Sequence, residues 1–349
     1  MRGIVFSGSR MIELVEFPDP EPGHDEVVLA IKASGMCGSD LKFYRPPPGE
    51  AFKALGLRDT GEPIIAGHEP AGEVVAVGRD VDPRMAKLGD RAMVYHYDGC
   101  HACASCRTGW WQMCENGPIT YGLNAHGGHA PYMKVPARTL VHLPEELSYT
   151  TGAAISCGTG TSYQALTRIG VSARDRLAVF GQGPVGLSTT QLAAAMGAEI
   201  IAIDIDRNRA DRALKFGAAH AIDASQDDPI EQIMQLTGGK GVTKAIDTSG
   251  AAAGRLGAVR SCAKWGVVCF VGEGGEVTLN VSPDIMRKQL TIMGSWTFSD
   301  VAQADCTRFI ADHGVEVDRL FTNEWSLEQA DEAYRDFDKQ LGGKAVFVF

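Results

Sequence analysis

The sequence contains no run of about 18 apolar residues, the length that a membrane-spanning helix needs. It also contains no cluster of lysine and arginine residues that would bind nucleic-acid phosphates, and its net charge of -10 opposes such binding. The N-terminal residues lack the continuous apolar stretch and the small-residue cleavage site of a secretory signal. We therefore expect a cytoplasmic protein that engages neither a membrane nor a nucleic acid.

A disulfide framework is a further feature that the sequence does not predict. Nine cysteines are present, but unevenly clustered cysteines in a reducing compartment are more typical of metal ligands or packed thiols.

The length of the chain bears on the number of domains, because 349 residues exceed what a single hydrophobic core usually organises. We therefore predict two domains.

The pattern of the chain changes near its middle. Residues 1–155 mostly alternate short β-branched runs with glycine and proline, which is typical of a β-rich domain. From Arg176 onward, strand and helix patterns alternate, and this rhythm predicts a doubly wound parallel sheet with right-handed crossovers. The sequence ends in a short apolar strand, KAVFVF, which we expect to pair with the first domain. We thus predict an α/β protein in which residues 1–155 and 291–349 form one domain and residues 156–290 form the other.

A glycine motif begins the second domain. Gly181, Gly183 and Gly186 form GxGxxG directly after the strand pattern RLAVF and directly before an apolar helix pattern. In a Rossmann-type fold the first glycine allows a tight turn, the second lets a pyrophosphate approach the backbone, and the third allows close packing of helix and strand. The N-terminus of the helix then holds the phosphates. The motif therefore predicts a dinucleotide site.

The acidic residue at the end of the next strand pattern bears on which dinucleotide binds. The carboxylate of Asp204 can accept both adenine-ribose hydroxyls and repel a 2′-phosphate, which favours NAD over NADP. Arg207 and Arg209 weaken this preference, because a nearby arginine can accommodate the extra phosphate. The alternative is a glycine-rich turn of another α/β protein in which Asp204 caps a helix. The predicted cofactor residues are Thr161, Gly181, Gly183, Pro184, Val185, Gly186, Asp204, Arg209 and Val271.

Four cysteines lie close together in a segment near residues 96–116. Cys100, Cys103, Cys106 and Cys114 read CxxCxxCx7C, and four thiolates can close a tetrahedral shell around one ion. Such a closed site leaves no position for chemistry, and its binding energy can hold a loop that has too few apolar residues to fold alone. We therefore predict a structural zinc. An iron–sulfur cluster is the alternative, although the longer final gap and the absence of a following proline disfavour it.

A second set of candidate ligands is spread along the first domain. Cys37, His68, Glu69 and Cys157 lie in CGSD, GHEPAG and ISCGTGT, and each alone would more often be a packed or hydrogen-bonded core residue. Together with the four-cysteine segment and VFGQGPVG they occur in the order found in the zinc-containing medium-chain alcohol dehydrogenases. The chain resembles that family over essentially its whole length.

The resemblance implies a GroES-like β-rich catalytic domain and two zinc ions per subunit, with NAD as cofactor. Cys37, His68 and Cys157 would hold a catalytic zinc whose fourth position stays open for water or substrate. Glu69 would be the nearby acid that approaches the metal during ligand exchange. The four-cysteine segment would hold the structural zinc. A homo-oligomer, either a dimer or a tetramer, and a small alcohol or carbonyl substrate are also implied.

Two further residues acquire catalytic roles from the resemblance. Asp40 would orient the imidazole of His68, and Ser39 would hydrogen-bond the substrate oxygen and pass its proton outward while hydride leaves for nicotinamide. Lys42 stands where many relatives carry the histidine that completes the proton relay, and it could act there only with a lowered pKa. A solvated loop lysine is the alternative.

The substrate is constrained only weakly. The resemblance puts His96 at the wall of the substrate pocket and Trp296 on the loop that faces nicotinamide, and a polar His96 would favour a polar secondary alcohol. Polyol and threonine dehydrogenases of the family tend to carry a carboxylate where Cys157 stands, which disfavours a sugar alcohol without excluding it. The alternatives are a polyol or amino-alcohol dehydrogenase, an NADP(H)-linked carbonyl reductase, and a non-catalytic dinucleotide sensor.

Overall fold

The computed structural model describes residues 1–54 and 61–349. These residues form two compact units. Unit 1 comprises Met1–Gly160, Ser299–Asp312 and Glu316–Phe349, and unit 2 comprises Thr161–Phe298 and His313–Val315. Within the described ranges, no helix has both the length and the apolar character needed to cross a membrane.

The strands are numbered in chain order. They are β1 (Arg2–Gly8), β2 (Met11–Glu16), β3 (Glu26–Met36), β4 (Pro70–Val77), β5 (Arg91–Val94), β6 (Tyr97–Asp98), β7 (Ile119–Thr120), β8 (Tyr132–Pro136), β9 (Leu140–His142), β10 (Arg176–Phe180), β11 (Glu199–Asp204), β12 (His220–Asp223), β13 (Val242–Asp247), β14 (Cys262–Phe270), β15 (Thr291–Gly294), β16 (Phe321–Trp325) and β17 (Lys344–Val348).

The helices are numbered in the same way. They are α1 (Leu41–Tyr44), α2 (Glu50–Ala54), α3 (Ala104–Arg107), α4 (Tyr149–Ala154), α5 (Gly160–Arg168), α6 (Pro184–Ala195), α7 (Arg207–Leu214), α8 (Pro229–Leu236), α9 (Ala252–Ser261), α10 (Val281–Asp284), α11 (Asp300–His313) and α12 (Ala330–Asp338).

Unit 1 is built on a seven-stranded sheet in the order β16-β17-β3-β4-β5-β9, with β8 also paired to β3. In the long strand β3, Val27, Leu29 and Ile31 lie on one face and pack into one apolar core. The C-terminal strand β17 pairs antiparallel with β3, with Ala345 opposite Met36. The C-terminal apolar strand therefore joins the sheet of the first part of the chain, between β3 and β16.

Unit 2 contains a six-stranded sheet in the order β12-β11-β10-β13-β14-β15, and its neighbouring strands are parallel. The continuous apolar runs of β10 and β11 are buried because helices cover a parallel sheet on both faces. The chain order reverses between β10 and β13, and ligands of such sheets bind outside the carboxyl ends of the strands at this point. Gly181 follows β10 directly, so the glycine motif lies there.

The second domain is longer than the range 156–290 that the sequence predicts. Strand β15 (Thr291–Gly294) pairs with Val267–Phe270 of β14 and is the sixth strand of the sheet in unit 2, so the boundary at residue 290 is wrong. The sequence pattern of β15 was hard to recognise as a strand, because β15 has only four residues and follows an irregular segment. At its other end unit 2 begins at Thr161 within a run of helical turns, where no proline or glycine-rich linker marks a boundary.

Candidate active site and metal centres

The candidate catalytic ligands lie on three segments of unit 1. Cys37 follows the end of β3, and His68 and Glu69 directly precede β4. Pairing of β3 with β4 brings these two segments to the same end of the sheet, where the Gly35 amide donates to the Glu69 carbonyl at 2.9 Å. Cys157 lies in a π-helical turn between α4 and α5, and such turns are frequent at functional sites.

These four side chains form one cluster. One donor atom from each of Cys37, His68, Glu69 and Cys157 lies within 4.8 Å of the others. The two sulfurs are 3.9 Å apart, close to the ~3.8 Å expected for two sulfurs bound tetrahedrally to one zinc at about 2.3 Å each. His68 and Glu69 are buried, whereas both cysteines are partly accessible. The donor set therefore fits a metal ion that solvent can reach from one side.

The electrostatic surroundings favour a thiolate even before a metal binds. The Cys157 thiol donates toward Cys37, and together with His68 it holds the pKa of Cys37 well below that of a free thiol despite burial. The Cys37 thiolate and burial raise the pKa of Cys157. Burial alone would lower the pKa of His68, but the carboxylate of Asp40, 3.0 Å from His68 Nδ1, raises it. Asp40 thus fixes which imidazole nitrogen faces away from the cluster.

The four remaining candidate ligands form a second cluster in unit 1. Cys100, Cys103, Cys106 and Cys114 also bring their sulfurs within 4.8 Å of one another. Backbone amides point at the sulfurs, with Cys100 N 3.3 Å from Cys114 Sγ and Cys103 N 3.4 Å from Cys100 Sγ. Hydrogen bonds from the Ala102 and Cys103 amides lower the pKa of Cys100 to about 6. Four sulfurs at this spacing fit a closed tetrahedral metal site.

The glycine motif of unit 2 has room for a phosphate. A Cβ at Gly186 would lie 1.9 Å from the Gly181 carbonyl oxygen, so helix α6 packs against the turn as closely as glycine permits. A Cβ at Gly183 would meet nothing within 4 Å, so the space in front of it is open. Pro184 begins α6, and its missing N–H costs nothing in the first turn. The amides of this turn are the groups that would hold a pyrophosphate.

Asp204 ends β11 beside the glycine motif. Its carboxylate accepts the Gln182 amide at 2.6 Å and the Asp206 amide at 2.9 Å. The N-cap of α7 is Asp206, which accepts the amides of Asn208 and Arg209, so the alternative interpretation of Asp204 as a helix cap is wrong. The Asp204 carboxylate is instead tied to the loop that carries the motif.

The other predicted cofactor residues lie in unit 2 at different points. Val185 is in the first turn of α6, and Thr161 is in α5. Val271 follows β14, and its amide donates to the Asp247 carbonyl at 2.8 Å. Arg207, one of the two arginines near Asp204, forms an exposed ion pair with Asp211 at 2.8 Å.

Comparison with known proteins agrees with these two parts of the chain. Residues 23–145 match the family described as alcohol dehydrogenase GroES-like domain, and residues 184–312 match the family described as zinc-binding dehydrogenase. An uncharacterized zinc-type alcohol dehydrogenase-like protein of Escherichia coli, YphC, is 39% identical over 345 residues, covering 98% of this chain and 97% of the relative. Sorbitol dehydrogenase of Bacillus subtilis is 32% identical, covering 95% of this chain and 92% of the relative.

This chain belongs to the zinc-containing medium-chain alcohol dehydrogenase family. Among solved structures, the alcohol dehydrogenase TADH of Thermus sp. ATN1 matches with a TM-score of 0.89 and 26% identity, covering 100% of this chain and 99% of that one. The family resemblance and the fold class, a parallel Rossmann-type sheet with a GroES-like β-rich domain, are therefore confirmed. The protein is an oxidoreductase acting on the alcohol group of a small molecule, with zinc and a nicotinamide dinucleotide as cofactors.

Ser39 and His96 lie beside the Cys37 cluster of this dehydrogenase. Ser39 Oγ is 3.2 Å from Cys37 Sγ and 3.1 Å from His68 Nε2. The His96 ring lies edge-on to His68, with 5.2 Å between ring centroids. His96 Nδ1 donates to the Ser156 carbonyl at 2.9 Å, and burial lowers the pKa of His96 to about 3. His96 is therefore neutral at physiological pH, with Nε2 as its acceptor nitrogen.

Two further residues were considered near the reaction centre, Lys42 for the proton relay and Trp296 for the loop that faces nicotinamide, and they differ in exposure. Lys42 is half-buried on α1, three residues after Ser39. Trp296 follows β15 in unit 2, and its side chain is exposed.

A residue that the sequence analysis missed completes the cluster in unit 1. Lys344 is buried at the start of β17, where its Nζ contacts Glu69 Oε2 and donates to the Met36 carbonyl at 3.2 Å. Burial raises the pKa of Glu69, and Lys344 opposes that rise. Burial alone would lower the pKa of Lys344, but Glu69 raises it. A neutral Glu69 would leave the buried ammonium without the carboxylate that it contacts, so the pair is charged.

A signal for Lys344 was present in the sequence. In KAVFV, Lys344 shares a strand face with the buried Val346, and a lysine on the buried face of a strand requires a partner.

Proposed function

We propose that this dehydrogenase oxidises a polar secondary alcohol with NAD, using one zinc at the Cys37 cluster and a second zinc at the four-cysteine cluster. The observation that supports this proposal most strongly is that two cysteines, a histidine and a glutamate cluster in unit 1, with a serine hydroxyl 3.1 Å from the histidine. Two cysteines, a histidine and a carboxylate suit a catalytic metal that keeps a position open, whereas four cysteines suit a closed structural site.

The residues around the cluster have distinct tasks in this reaction. Zinc, when bound, would supply a Lewis acid that makes the alcohol easier to deprotonate near neutral pH. Asp40 holds the Nδ1 side of His68 so that Nε2 faces the cluster. Ser39 lies beside both Cys37 and His68, where its hydroxyl can accept the alcohol proton and release its own. A bound nicotinamide cofactor would supply the acceptor for the carbinol hydride.

His96 supports a polar substrate. Its neutral ring lies beside His68, with Nδ1 donating to the Ser156 carbonyl, so it brings a polar side chain next to the metal cluster. A polar side chain at the wall of the substrate pocket favours a substrate that carries a second polar group. The second candidate is a polyol, because the Bacillus subtilis relative is a sorbitol dehydrogenase.

The substrate class can be tested with a panel of alcohols. The purified protein is incubated with NAD or NADP and with primary alcohols, secondary alcohols, polyols or amino alcohols, and reduced cofactor is measured by absorbance. We expect the highest kcat/KM for secondary alcohols that carry a second polar group. The proposal fails if zinc is bound and no alcohol of the panel reduces either cofactor. A preference for unsubstituted primary alcohols would contradict the role of His96.

The choice of cofactor can be tested at Asp204. Asp204→Asn keeps an acceptor for the Gln182 amide and removes the negative charge, so we expect NADH to bind about tenfold more weakly. Binding of NADPH should strengthen, because the repulsion of a 2′-phosphate is gone. Dissociation constants are measured by nicotinamide fluorescence. Asp206→Asn is the control, since it removes the same charge nearby and asparagine remains a good helix cap. Equal effects of both substitutions would contradict a specific contact of Asp204 with the ribose.

A further inference from the structure

A chain of buried hydrogen bonds leads from β3 to Asp40, the residue beside His68. Ser34 Oγ lies 2.7 Å from His129 Nδ1, and His129 Nε2 lies 2.8 Å from Tyr334 Oη. Tyr334 Oη then donates to Asp40 Oδ2 at 3.1 Å. All four side chains are fully buried. Each bond joins residues that are far apart in sequence, so tertiary folding brings the partners together.

The direction of every bond in this chain is determined. The Tyr334 hydroxyl uses its only hydrogen on the Asp40 carboxylate, so His129 Nε2 must donate to Tyr334 Oη. Burial lowers the pKa of His129 to about 4, which keeps its ring neutral. Nδ1 of His129 is then an acceptor and receives the Ser34 hydroxyl hydrogen. All the donors therefore point toward Asp40.

Both rings are held in place by packing. The Tyr334 ring is edge-on to Phe6 at 5.0 Å between centroids, and it also lies 5.6 Å from the ring of Tyr44. The His129 ring is edge-on to Phe347 at 4.8 Å. Because these contacts fix the two rings, the hydroxyl of Tyr334 has a defined position relative to Asp40.

His129 also supports the backbone that carries His68. Its amide donates to the Ala66 carbonyl at 2.9 Å, and a Cβ at Gly67 would lie 2.4 Å from His129 Nδ1. The imidazole of His129 thus fills the space beside Gly67, the residue directly before His68. His129 therefore contacts the backbone that precedes His68, and it is also linked to the His68 side chain through Tyr334 and Asp40.

We propose that Tyr334 and His129 are positioning residues that fix the Asp40 carboxylate and, through it, the orientation of His68 as a metal ligand. Asp40 Oδ2 accepts from both Tyr334 and the Cys37 amide, while Oδ1 lies 3.0 Å from His68 Nδ1. Because two donors hold Oδ2, rotation of the carboxylate is restricted, and Oδ1 stays beside His68 Nδ1. The inference rests on the proposed function, because it requires a metal at His68.

The test compares two tyrosine substitutions in the same aromatic cluster. Tyr334→Phe keeps the ring and removes the hydroxyl that reaches Asp40, whereas Tyr44→Phe removes a phenol hydroxyl from the neighbouring ring. Zinc release from each protein to a chromogenic chelator is followed over time, and a Cys157→Ser protein identifies which release phase belongs to the His68 cluster. We expect Tyr334→Phe to accelerate that phase about tenfold, the lower end for losing a partner outside the ligand shell. The phase from the four-cysteine cluster should not change.

A second pair of variants tests the chain one bond further out. His129→Leu cannot donate to Tyr334 and should accelerate the same phase, whereas His129→Gln retains an N–H donor and should lie closer to the native rate. In cobalt-substituted protein, the visible bands of the His68 site should shift with Tyr334→Phe and not with Tyr44→Phe.

Three outcomes would overturn the inference. In the first, Tyr334→Phe releases zinc within about twofold of the native rate. In the second, Tyr44→Phe accelerates release as much as Tyr334→Phe, which would indicate a general loss of packing. In the third, the native protein binds no zinc at the His68 cluster, and this result alone would also overturn the proposed function.

Discussion

Cys37→Ala is expected to abolish alcohol-dependent reduction of NAD and to leave one zinc per chain instead of two. The substitution removes one of the two sulfurs that lie 3.9 Å apart, and the remaining donors cannot form the same ligand shell. A bound metal contributes several kcal/mol to transition-state stabilisation, so we expect kcat/KM to fall by about a thousandfold or more. Metal content by elemental analysis and initial rates with the best alcohol of the panel are the two measurements.

Two other cysteine variants serve as controls for this result. Cys306→Ala removes another thiol of unit 1, one that is fully buried, but Cys306 belongs to neither cluster, so both zinc ions and the activity should remain. Cys103→Ala should remove the other zinc, because it takes one sulfur from the four-cysteine cluster. If Cys37→Ala retained two zinc ions and native activity, the assignment of the catalytic cluster would be wrong.

Lys344→Met should lower the free energy of unfolding by about 3–5 kcal/mol, the cost of leaving one member of a buried ion pair without its partner. Lys344 and Glu69 are both almost fully buried, and the Lys344 ammonium also donates to the Met36 carbonyl. Methionine fills most of the volume of the lysine side chain, so the expected loss comes from the charge rather than from a cavity. The free energy of unfolding of both proteins is measured by urea unfolding, which is followed by circular dichroism.

The control for this substitution is the same change at an exposed pair. Lys339 pairs with Asp336 at 3.3 Å on the surface, where ion pairs contribute little, so Lys339→Met should change the unfolding free energy by less than about 1 kcal/mol. Lys344→Arg, which keeps a positive charge, should be less destabilising than Lys344→Met. Equal unfolding free energies for Lys344→Met and the native protein would show that the buried pair contributes nothing net.

The metal clusters were predictable because short motifs carry most of their geometry. Cys100, Cys103 and Cys106 are close in sequence, so any compact loop brings their sulfurs together. Cys37 and His68 were identified by the resemblance to the family and meet through the pairing of β3 with β4. Asp204 was identified from its place after a strand, but only the structure shows that Asp206 is the residue that caps the next helix.

The missed residues have in common that non-local packing creates their roles. Lys344 contacts Glu69 because the C-terminal strand pairs with β3. The sequence indicates that Lys344 needs a partner, but no motif near it identifies Glu69 as that partner. Tyr334 and His129 are 205 positions apart and meet in a core whose side-chain arrangement the sequence pattern does not specify. The end of the second domain was misplaced for a related reason, since pairing with β14 rather than its own composition makes Thr291–Gly294 a strand. Periodicity reveals which residues are buried, but not which buried residues touch.

Following the hydride itself tests the central claim most directly. The protein is incubated with NAD and with the best alcohol of the panel carrying deuterium on its carbinol carbon, and the reduced cofactor is analysed by mass spectrometry. We expect one deuterium on the nicotinamide ring, a slower rate than with the unlabelled alcohol, and no labelled cofactor with Cys37→Ala. Reduced cofactor without deuterium, or equal labelling by native protein and Cys37→Ala, would contradict zinc-dependent hydride transfer from an alcohol.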